Sequence, residues 1–281
     1  MILIADSGST KTDWRLVADK KEILSCQTIG LNPYFVHQEM VINALKTSPL
    51  IEFVDKVKAI YFYGAGCSSP AKQLELSSYL ASFFSAAKIN VDHDLLGAAR
   101  ALCKTSGGMV AILGTGANTC LYDGKQITHN IPALGYVLGD EGGGVSLGKL
   151  LIKMVLHKKL SSSLLGEFEK SFPDLTINII LDKVYQQPLP NRFLASFSPF
   201  IAQHKSHSEI KQLINSCFHQ FFSEYIVFYP NYKNYPLHLV GSIAYHFKNE
   251  ISEVANKYEV KIGDVLQQPI DELVEFHIRY E

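Results

Sequence analysis

Residues 6–13, with the sequence Asp-Ser-Gly-Ser-Thr-Lys-Thr-Asp, carry the residue types that bind a phosphorylated ligand. Gly8 lets the backbone approach a bulky anion because it has no Cβ atom. Backbone N–H groups and the Ser and Thr hydroxyls can donate to phosphate oxygens, and Lys11 adds a positive charge. The carboxylate of Asp6 can hold Mg²⁺, which proteins bind through one or two carboxylates plus substrate phosphates. A polar hairpin turn with capping hydroxyls is the plainer interpretation of the same residues.

Two further glycine turns follow strand-like runs. Residues 109–123 contain a Gly-Thr-Gly turn at 114–116 between two such runs. Residues 239–244 form an apolar run that enters Gly-Ser at 241–242 and then a helical pattern. Each turn alone is compatible with ordinary loop chemistry, but their repetition favours phosphate binding.

Acidic residues follow other predicted elements. Asp92 and Asp94 flank His93 at the end of a short predicted strand, and a positioned carboxylate there could accept a proton from a hydroxyl group. Residues 139–144, Gly-Asp-Glu-Gly-Gly-Gly, precede a helix predicted over 146–158. That sequence allows a turn around a ligand, or a helix N-terminus with acids at the positive end of the helix dipole.

Composition excludes several classes of protein. The 281 residues are 47% hydrophobic, which is enough for a substantial core, and the formal net charge is -1. Such a balance gives no electrostatic footprint for nucleic acid or for an acidic membrane. The five cysteines show no Cys-x-x-Cys spacing, and no run approaches the length of a transmembrane helix. We therefore expect a cytoplasmic protein with reduced thiols, no signal segment and small-molecule partners.

The apolar pattern predicts an α/β fold with an internal repeat. A three-stranded meander occupies residues 2–28, and residues 109–130 repeat it around the second glycine turn and an Asp-Gly hairpin. Helix, strand, helix, strand and helix follow the first meander, with a Ser69-Pro70 helix start. The remaining predicted elements are helices over 35–47, 168–234, 243–257 and 269–280, and strands over 57–63, 88–91, 236–240 and 258–262.

The three glycine turns, in this order and at these separations, resemble the two phosphate loops and the adenosine loop of the actin/sugar-kinase/heat-shock-protein ATPase superfamily. Residues 139–142 resemble the Gly-Asp-Glu-Gly signature of its N-acetylglucosamine kinase branch. The resemblance covers most of the chain except residues 155–235. It implies two similar ribonuclease H-like domains with a cleft between them, at 1–106 and 107–266. A C-terminal helix (267–281) then packs back on the first domain.

The resemblance also implies roles for individual residues, with ATP and Mg²⁺ as cofactors. Asp94 matches the catalytic base, Asp92 is then a surface or capping acid, and Asp6 is the metal ligand. Asn32 would be an ordinary Asn-Pro turn residue on local sequence alone, but it matches a sugar-binding asparagine. The implied ATP- and phosphate-binding residues are Asp6, Gly8, Ser9, Thr10, Lys11, Gly114, Thr115, Gly116, Gly241 and Ser242. The implied sugar-binding residues are Asn32, Asp94, Thr115, Ala117, Asn118, Gly135, Tyr136 (where the family often has Trp) and Asp140.

These matches predict an ATP-dependent kinase for the 6-hydroxyl of an amino sugar, N-acetylglucosamine first, as a homodimer like many relatives. N-acetylmuramate and glucosamine are alternative substrates. The activator ATPase of 2-hydroxyacyl-CoA dehydratases is a related enzyme class, but the cysteines here lack its cluster-loop pattern. A non-catalytic sugar or nucleotide sensor is the alternative outside enzymes.

Overall fold

The computed structural model describes residues 1–8 and 10–280. Ser9, one of the predicted phosphate-binding residues, lies outside the described residues, as does Glu281. The chain forms two compact units. Unit 1 comprises Met1–Ser106, Gly124–Gln126 and Gln268–Glu281, and unit 2 comprises Gly107–Asp123 and Ile127–Gln267.

Each unit contains a five-stranded mixed sheet covered by helices, as an α/β fold requires. In chain order, the strands are β1 (Ile2–Ser7), β2 (Lys11–Ala18), β3 (Lys21–Ile29), β4 (Ala59–Gly64), β5 (Lys88–His93), β6 (Gly108–Leu113), β7 (Ala117–Tyr122), β8 (Ile127–Ile131), β9 (Leu237–Val240) and β10 (Ile262–Leu266). The helices are α1 (Gln38–Lys46), α2 (Pro70–Ala81), α3 (Asp94–Cys103), α4 (Gly135–Leu138), α5 (Gly144–Leu156), α6 (Ser162–Ser171), α7 (Ile177–Tyr185), α8 (Pro190–Ala195), α9 (Ser198–Gln203), α10 (Ser208–Glu224), α11 (Ser242–His246), α12 (Lys248–Lys257) and α13 (Ile270–Tyr280).

Strand β1 is the centre of the first sheet, whose order is β3-β2-β1-β4-β5. It is antiparallel to β2 and parallel to β4, and β5 continues the parallel side. Leu3, Ile4 and Ala5 have no exposed surface, because a central strand is covered on both faces. The carboxyl ends of β1, β4 and β5 therefore meet at one edge of the sheet.

Helix α13 belongs to unit 1, although it is the last element of the chain. Arg15 of β2 pairs with Asp271 at 3.0 Å, and the Tyr63 hydroxyl lies 2.9 Å from Nε2 of the buried His277. The helix begins at Ile270, next to the start at 269 that the sequence pattern predicts, and the Pro269 carbonyl accepts the Leu273 N–H at 2.9 Å.

The second sheet repeats the first. Its order is β10-β9-β6-β7-β8, so β6, β7 and β8 take the places of the first meander, and β9 and β10 those of β4 and β5. The repeat predicted from the two glycine turns is confirmed at the level of strand order and direction. Among the described residues, no helix combines the length and apolar character needed to cross a membrane.

Unit 2 differs from the sequence expectation at three places. The helix predicted over 243–257 is two helices, because the buried Phe247 leaves helical geometry between them. The strand predicted over 258–262 is wrong: α12 ends there and β10 begins only at Ile262, after Glu259 adopts a left-handed conformation. The helical spacing of five aromatic residues predicts that all of them are core residues. Four are buried, Phe218, Phe221, Phe222 and Tyr225, whereas Phe228 is 64% exposed.

Candidate active site

The register of the first sheet aligns three sequence motifs at its carboxyl edge. Ser7 of β1 pairs with Gly64 of β4, and Gly64 pairs with His93 of β5. One residue further back, Asp6, Tyr63 and Asp92 form the equivalent row. In open α/β sheets, ligands bind at the carboxyl ends of parallel strands, so this edge is the candidate site of unit 1.

Side-chain hydroxyls hold the turn after β1. Ser7 Oγ lies 2.8 Å from Thr12 Oγ1 and accepts the Leu31 N–H at 3.0 Å. Gly8 donates its N–H to Lys11 O at 3.0 Å, and a Cβ added to Gly8 would meet nothing closer than 3.9 Å. The neighbouring atoms therefore leave room for a side chain at position 8.

Lys11 is engaged with a buried partner. Its Nζ lies 2.9 Å from Asp13 Oδ2. The Asp13 side chain is buried, and its carboxylate also accepts from Gln27 Nε2 at 2.6 Å. The ammonium group thus balances Asp13 in this structure, while 41% of the Lys11 side chain stays exposed.

Asp94 is the first residue of α3, directly after His93 at the end of β5. Its Oδ1 accepts the Leu95 N–H at 2.8 Å and lies 3.0 Å from His93 Nε2. Asp94 therefore stands at the positive end of the α3 dipole, a position that suits an acidic side chain. Both side chains are partly exposed, at 21% each.

Asn32 is presented from the loop after β3. Its Oδ1 accepts the Tyr34 N–H at 3.0 Å, which fixes the side-chain plane, and the residue is 7% exposed. A Cβ at Gly66 would lie 2.3 Å from that oxygen. The glycine after β4 therefore makes room for Asn32, and Gly66 has a positive φ of 83° that suits glycine.

In unit 2, the turn at 114–116 docks on the glycine-rich segment at 139–144. Gly144 and Val145 donate their N–H groups to the carbonyls of Gly114 and Thr115, at 2.8 and 2.9 Å. These are the first N–H groups of α5, so the glycine turn satisfies donors that a capping side chain usually satisfies. A Cβ at Gly143 would meet the Gly116 carbonyl carbon at 2.7 Å, so the contact requires glycine.

Asp140 connects the same two segments. Its Oδ1 accepts the Ala117 N–H at 3.0 Å, and a Cβ at Gly116 would lie 2.5 Å from that oxygen. Asp140 has a φ of 66°, an uncommon conformation that Asp adopts more readily than most residues. Burial raises the pKa of Asp140, and the hydrogen bond from Ala117 opposes that shift.

Gly241 joins this cluster from the end of β9. It has a φ of 120°, and a Cβ there would lie 2.3 Å from the Leu113 carbonyl oxygen, immediately before the 114–116 turn. Gly114 is different, because a Cβ would find no heavy atom within 4 Å. The cluster is closed on the Gly241 side and open at Gly114, where a ligand can approach.

Comparison with solved structures shows the family to which this chain belongs. A protein from Porphyromonas gingivalis, provisionally described as an N-acetylglucosamine kinase, is 42% identical and has a TM-score of 0.94, over 100% of this chain and 99% of that chain. The chain belongs to the N-acetylglucosamine kinase-like branch of the actin/sugar-kinase/heat-shock-protein ATPase superfamily.

Two more distant structures share the fold of this kinase-like chain. One, from Chromobacterium violaceum and also provisionally described as an N-acetylglucosamine kinase, has a TM-score of 0.73 at 15% identity, over 98% of both chains. The other is a ROK family glucokinase from Streptomyces griseus in complex with glucose and AMPPNP, with a TM-score of 0.53 at 12% identity, over 98% of this chain and 97% of that chain. No protein-family model and no curated protein sequence matches the chain.

The other predicted ligand residues of this kinase-like chain lie on the same segments. Thr10, Thr115, Gly135 and Ser242 are exposed. Asn118 Oδ1 accepts from Thr119 N and Asn130 Nδ2, which orients its amide, and Lys149 donates to the Tyr136 carbonyl. Asp6, Asp92 and Asp94 thus lie at one edge of the first sheet, and hydrogen bonds join segments 114–117 and 140–145 of unit 2.

Two contacts at these edges escaped sequence reasoning. Tyr225 donates its hydroxyl to Glu141 at 2.9 Å, which ties α10 to the 139–144 segment. His93 contacts Asp94. Tyr225 was predicted only as a core aromatic, and a Tyr in place of Phe was the available signal that its hydroxyl has a partner. His93 stood between two acids in the sequence, which was the corresponding signal for its contact.

The acidic edge of unit 1 is chemically suited to a divalent cation. Burial raises the pKa of Asp6 to about 7, and the charges of Asp94 and Asp13 add to the increase, against a smaller opposing effect of Lys11. Negative charge gathered in one place is stabilised by a bound cation, and carboxylates are hard ligands of the kind that Mg²⁺ prefers. No cluster of three or more His, Cys, Asp or Glu ligands occurs among the described residues, so phosphate oxygens and water would complete the coordination.

Proposed function

We propose that the protein is an ATP-dependent kinase that phosphorylates the 6-hydroxyl of N-acetylglucosamine. The observation that carries this proposal is the 42% identity, over the full length of both chains, to the P. gingivalis protein provisionally described as an N-acetylglucosamine kinase. The two sheet edges supply residue types that fit phosphate, a divalent cation and a polar substrate.

The phosphate role is supported by the glycines that the fold itself does not need. Gly8 and Gly114 leave open space where a Cβ would stand, so a phosphate chain can approach the backbone of both turns closely. Thr10, Lys11, Thr115, Gly116, Gly241 and Ser242 are the accompanying residues in this proposal. Asp6 would hold Mg²⁺, which neutralises charge on the transferring phosphoryl group.

Sugar recognition is assigned to fixed polar groups. The Asn32 amide is oriented by Tyr34, the Asn118 amide by Asn130, and the Asp140 carboxylate by Ala117. Pre-oriented hydrogen-bonding groups discriminate hydroxyl and amide substituents, because the wrong substrate leaves them unpaired. The remaining contacts in the proposal come from Asp94, Thr115, Ala117, Gly135 and Tyr136.

Asp94 is assigned as the group that takes the proton. A sugar hydroxyl is a poor nucleophile at neutral pH and must lose its proton as the new P–O bond forms. The Asp94 carboxylate stands at the carboxyl edge, partly exposed and held by the Leu95 N–H. Positioning and charge neutralisation supply most of the remaining catalysis of phosphoryl transfer.

A panel of glucose and amino sugars tests this function. Purified protein is incubated with Mg·ATP and glucose, glucosamine, N-acetylglucosamine, N-acetylmannosamine or N-acetylmuramate, and the product is identified by phosphorus NMR. We expect N-acetylglucosamine to give the highest kcat/KM and a product phosphorylated on carbon 6. Turnover of N-acetylmuramate alone would change the substrate, and no turnover of any sugar would favour a sensor.

A further inference from the structure

The side chain of His93 does not cap α3, the helix that follows it. His93 is the N-cap residue of α3, yet its side chain makes no capping hydrogen bond to a helical N–H. Instead its Nε2 lies 3.0 Å from Asp94 Oδ1. An N-cap position usually holds Ser, Thr, Asn or Asp, whose short side chains cap well, so helix formation does not explain a histidine here.

The contacts of the Asp94 carboxylate are asymmetric. Oδ1 faces two donors, the Leu95 N–H at 2.8 Å and His93 Nε2 at 3.0 Å. Within the described residues, no protein group donates to Oδ2. A carboxylate held through one oxygen has a fixed plane, and its second oxygen keeps its lone pairs for another partner.

We propose that His93 is a positioning residue for Asp94: together with the Leu95 N–H it holds Oδ1, and it leaves Oδ2 as the oxygen that receives the proton of the sugar hydroxyl. This inference rests on the proposed function. In the balanced step, the hydroxyl oxygen forms a bond to the γ-phosphorus, and the bond from that phosphorus to the β–γ bridging oxygen breaks. The hydroxyl proton moves to Asp94 Oδ2, and ADP leaves.

The pKa of His93 agrees with its contact with Asp94. Burial lowers the pKa of His93, but the hydrogen bond and charge of Asp94, with the charge of Asp92, outweigh that effect and the net pKa is raised. The other titratable groups at this edge are Asp6 at the end of β1 and the buried Cys67 after β4, and the charge of Asp94 affects both. His93 therefore shares this edge with three acids and one thiol, and its Nε2 lies against Asp94, the carboxylate to which we assign the proton transfer.

Three variants test the proposal. His93→Leu removes the donor, His93→Gln keeps a neutral donor at nearly the same reach, and His37→Leu is the matched control. His37 is the N-cap residue of α1, likewise without a side-chain cap bond, and it is exposed. We expect His93→Leu to lower kcat by about 10- to 100-fold, the cost of a misplaced catalytic group. The sugar KM should change less than about threefold, since uniform binding is retained.

The conservative variant and the double mutant separate positioning from a structural role. His93→Gln should recover kcat to within a few-fold of wild type, and His37→Leu should match wild type. In an Asp94→Asn background, His93→Leu should have no further effect, because residues that act as a unit are non-additive. An equal loss in both backgrounds, a loss confined to KM, or failure of glutamine to rescue would each overturn the proposal.

A measurement without turnover separates this inference from the proposed function. If wild-type protein phosphorylates no sugar, the proposed function fails, and the contact can still be observed by NMR of histidine-labelled protein. The titration of His93 should move to lower pH in Asp94→Asn and stay nearly unchanged in His37→Leu. An unmoved His93 titration in Asp94→Asn would show that the two side chains do not interact.

Discussion

The equivalent turns of the two units are held by different means. In unit 1, the backbone bond from Gly8 to Lys11 closes the turn between β1 and β2, and the Ser7 side chain anchors it through contacts with Thr12 and the Leu31 N–H. In unit 2, the turn between β6 and β7 is fixed by backbone groups, with the carbonyls of Gly114 and Thr115 bonded to the start of α5. The same strand order thus supports two constructions of a glycine turn.

The two edges also differ in charge. The edge of unit 1 carries Asp6, Asp92 and Asp94, and the pKa of Asp6 is raised by burial and by its acidic neighbours. The edge of unit 2 is built from close glycine contacts around the buried carboxylate of Asp140. The two edges thus offer different groups: carboxylates in unit 1, and in unit 2 a closely packed glycine backbone.

The largest expected effect comes from the acid at the first edge. Asp6→Asn should lower turnover by about a thousandfold, because charge stabilisation by a metal ion is worth several kcal/mol. The metal-free variant should be more stable than wild type at neutral pH, by on the order of 1–3 kcal/mol, since a neutral amide avoids the cost of burying a carboxylate beside other acids. Steady-state kinetics and thermal unfolding measure both. Near-normal turnover in a folded Asp6→Asn protein would remove the metal role.

The second prediction tests the backbone construction of unit 2. Gly241→Ala should lower the free energy of unfolding by about 2–4 kcal/mol, because it combines a positive φ with overlap on the Leu113 carbonyl. Gly114→Ala is the matched control, since its Cβ would stand in open space. Its stability should stay within about 0.5 kcal/mol of wild type.

The activities of the two variants should be affected in the opposite order to their stabilities. A Cβ at Gly114 occupies the space that we assign to phosphate, so Gly114→Ala should use ATP poorly while it remains folded. Denaturant unfolding and the KM for ATP measure the two effects. Equal stability losses in both variants would contradict the distinction between a closed and an open side of the glycine cluster.

Sequence patterns predicted the repeated part of this fold well. Two meanders, each with a glycine turn after its first strand, were predicted because strand alternation and turn residues are local signals. The end of unit 2 was not predicted correctly. Tyr258 is the C-cap residue of α12, and its ring stacks on Phe222 with 5.2 Å between the ring centroids, so the alternating segment 258–262 begins as helix end and turn rather than as strand. That contact joins residues far apart in sequence, and no local pattern encodes it.

The candidate site likewise combines features that the sequence indicated with features that depend on distant contacts. Residue type and position indicated Asp6, Gly8 and the pair Asp92 and Asp94 as candidates. The choice of Asp94 came from the family resemblance, and these roles stay predictions. The packing of Gly116 and Gly143 against each other and against Asp140 was not predicted, because a glycine needed for a close backbone contact looks the same in sequence as a glycine needed for a ligand. Only the structure separates the two kinds.

The smallest expected effect concerns the hydrogen bond behind the second edge. Tyr225→Phe removes the hydroxyl that donates to Glu141 and should cost about 1 kcal/mol of stability, the usual value of one hydrogen bond. Tyr245→Phe is the control, because Tyr245 is 43% exposed. Chemical denaturation measures both, and equal stabilities of the two variants would show that the Glu141 contact adds nothing to the backbone construction.

The most direct test of the account compares two acids on the same edge of unit 1. Asp94→Asn keeps the size and the Oδ1 contact of the side chain but cannot accept a proton, so kcat with N-acetylglucosamine should fall by at least about a hundredfold. The KM values for sugar and ATP should change far less, which is the pattern of lost transition-state stabilisation. Asp92→Asn, two residues away, should keep wild-type turnover. A folded Asp94→Asn protein with kcat within a few-fold of wild type would contradict the assignment of Asp94 as the base.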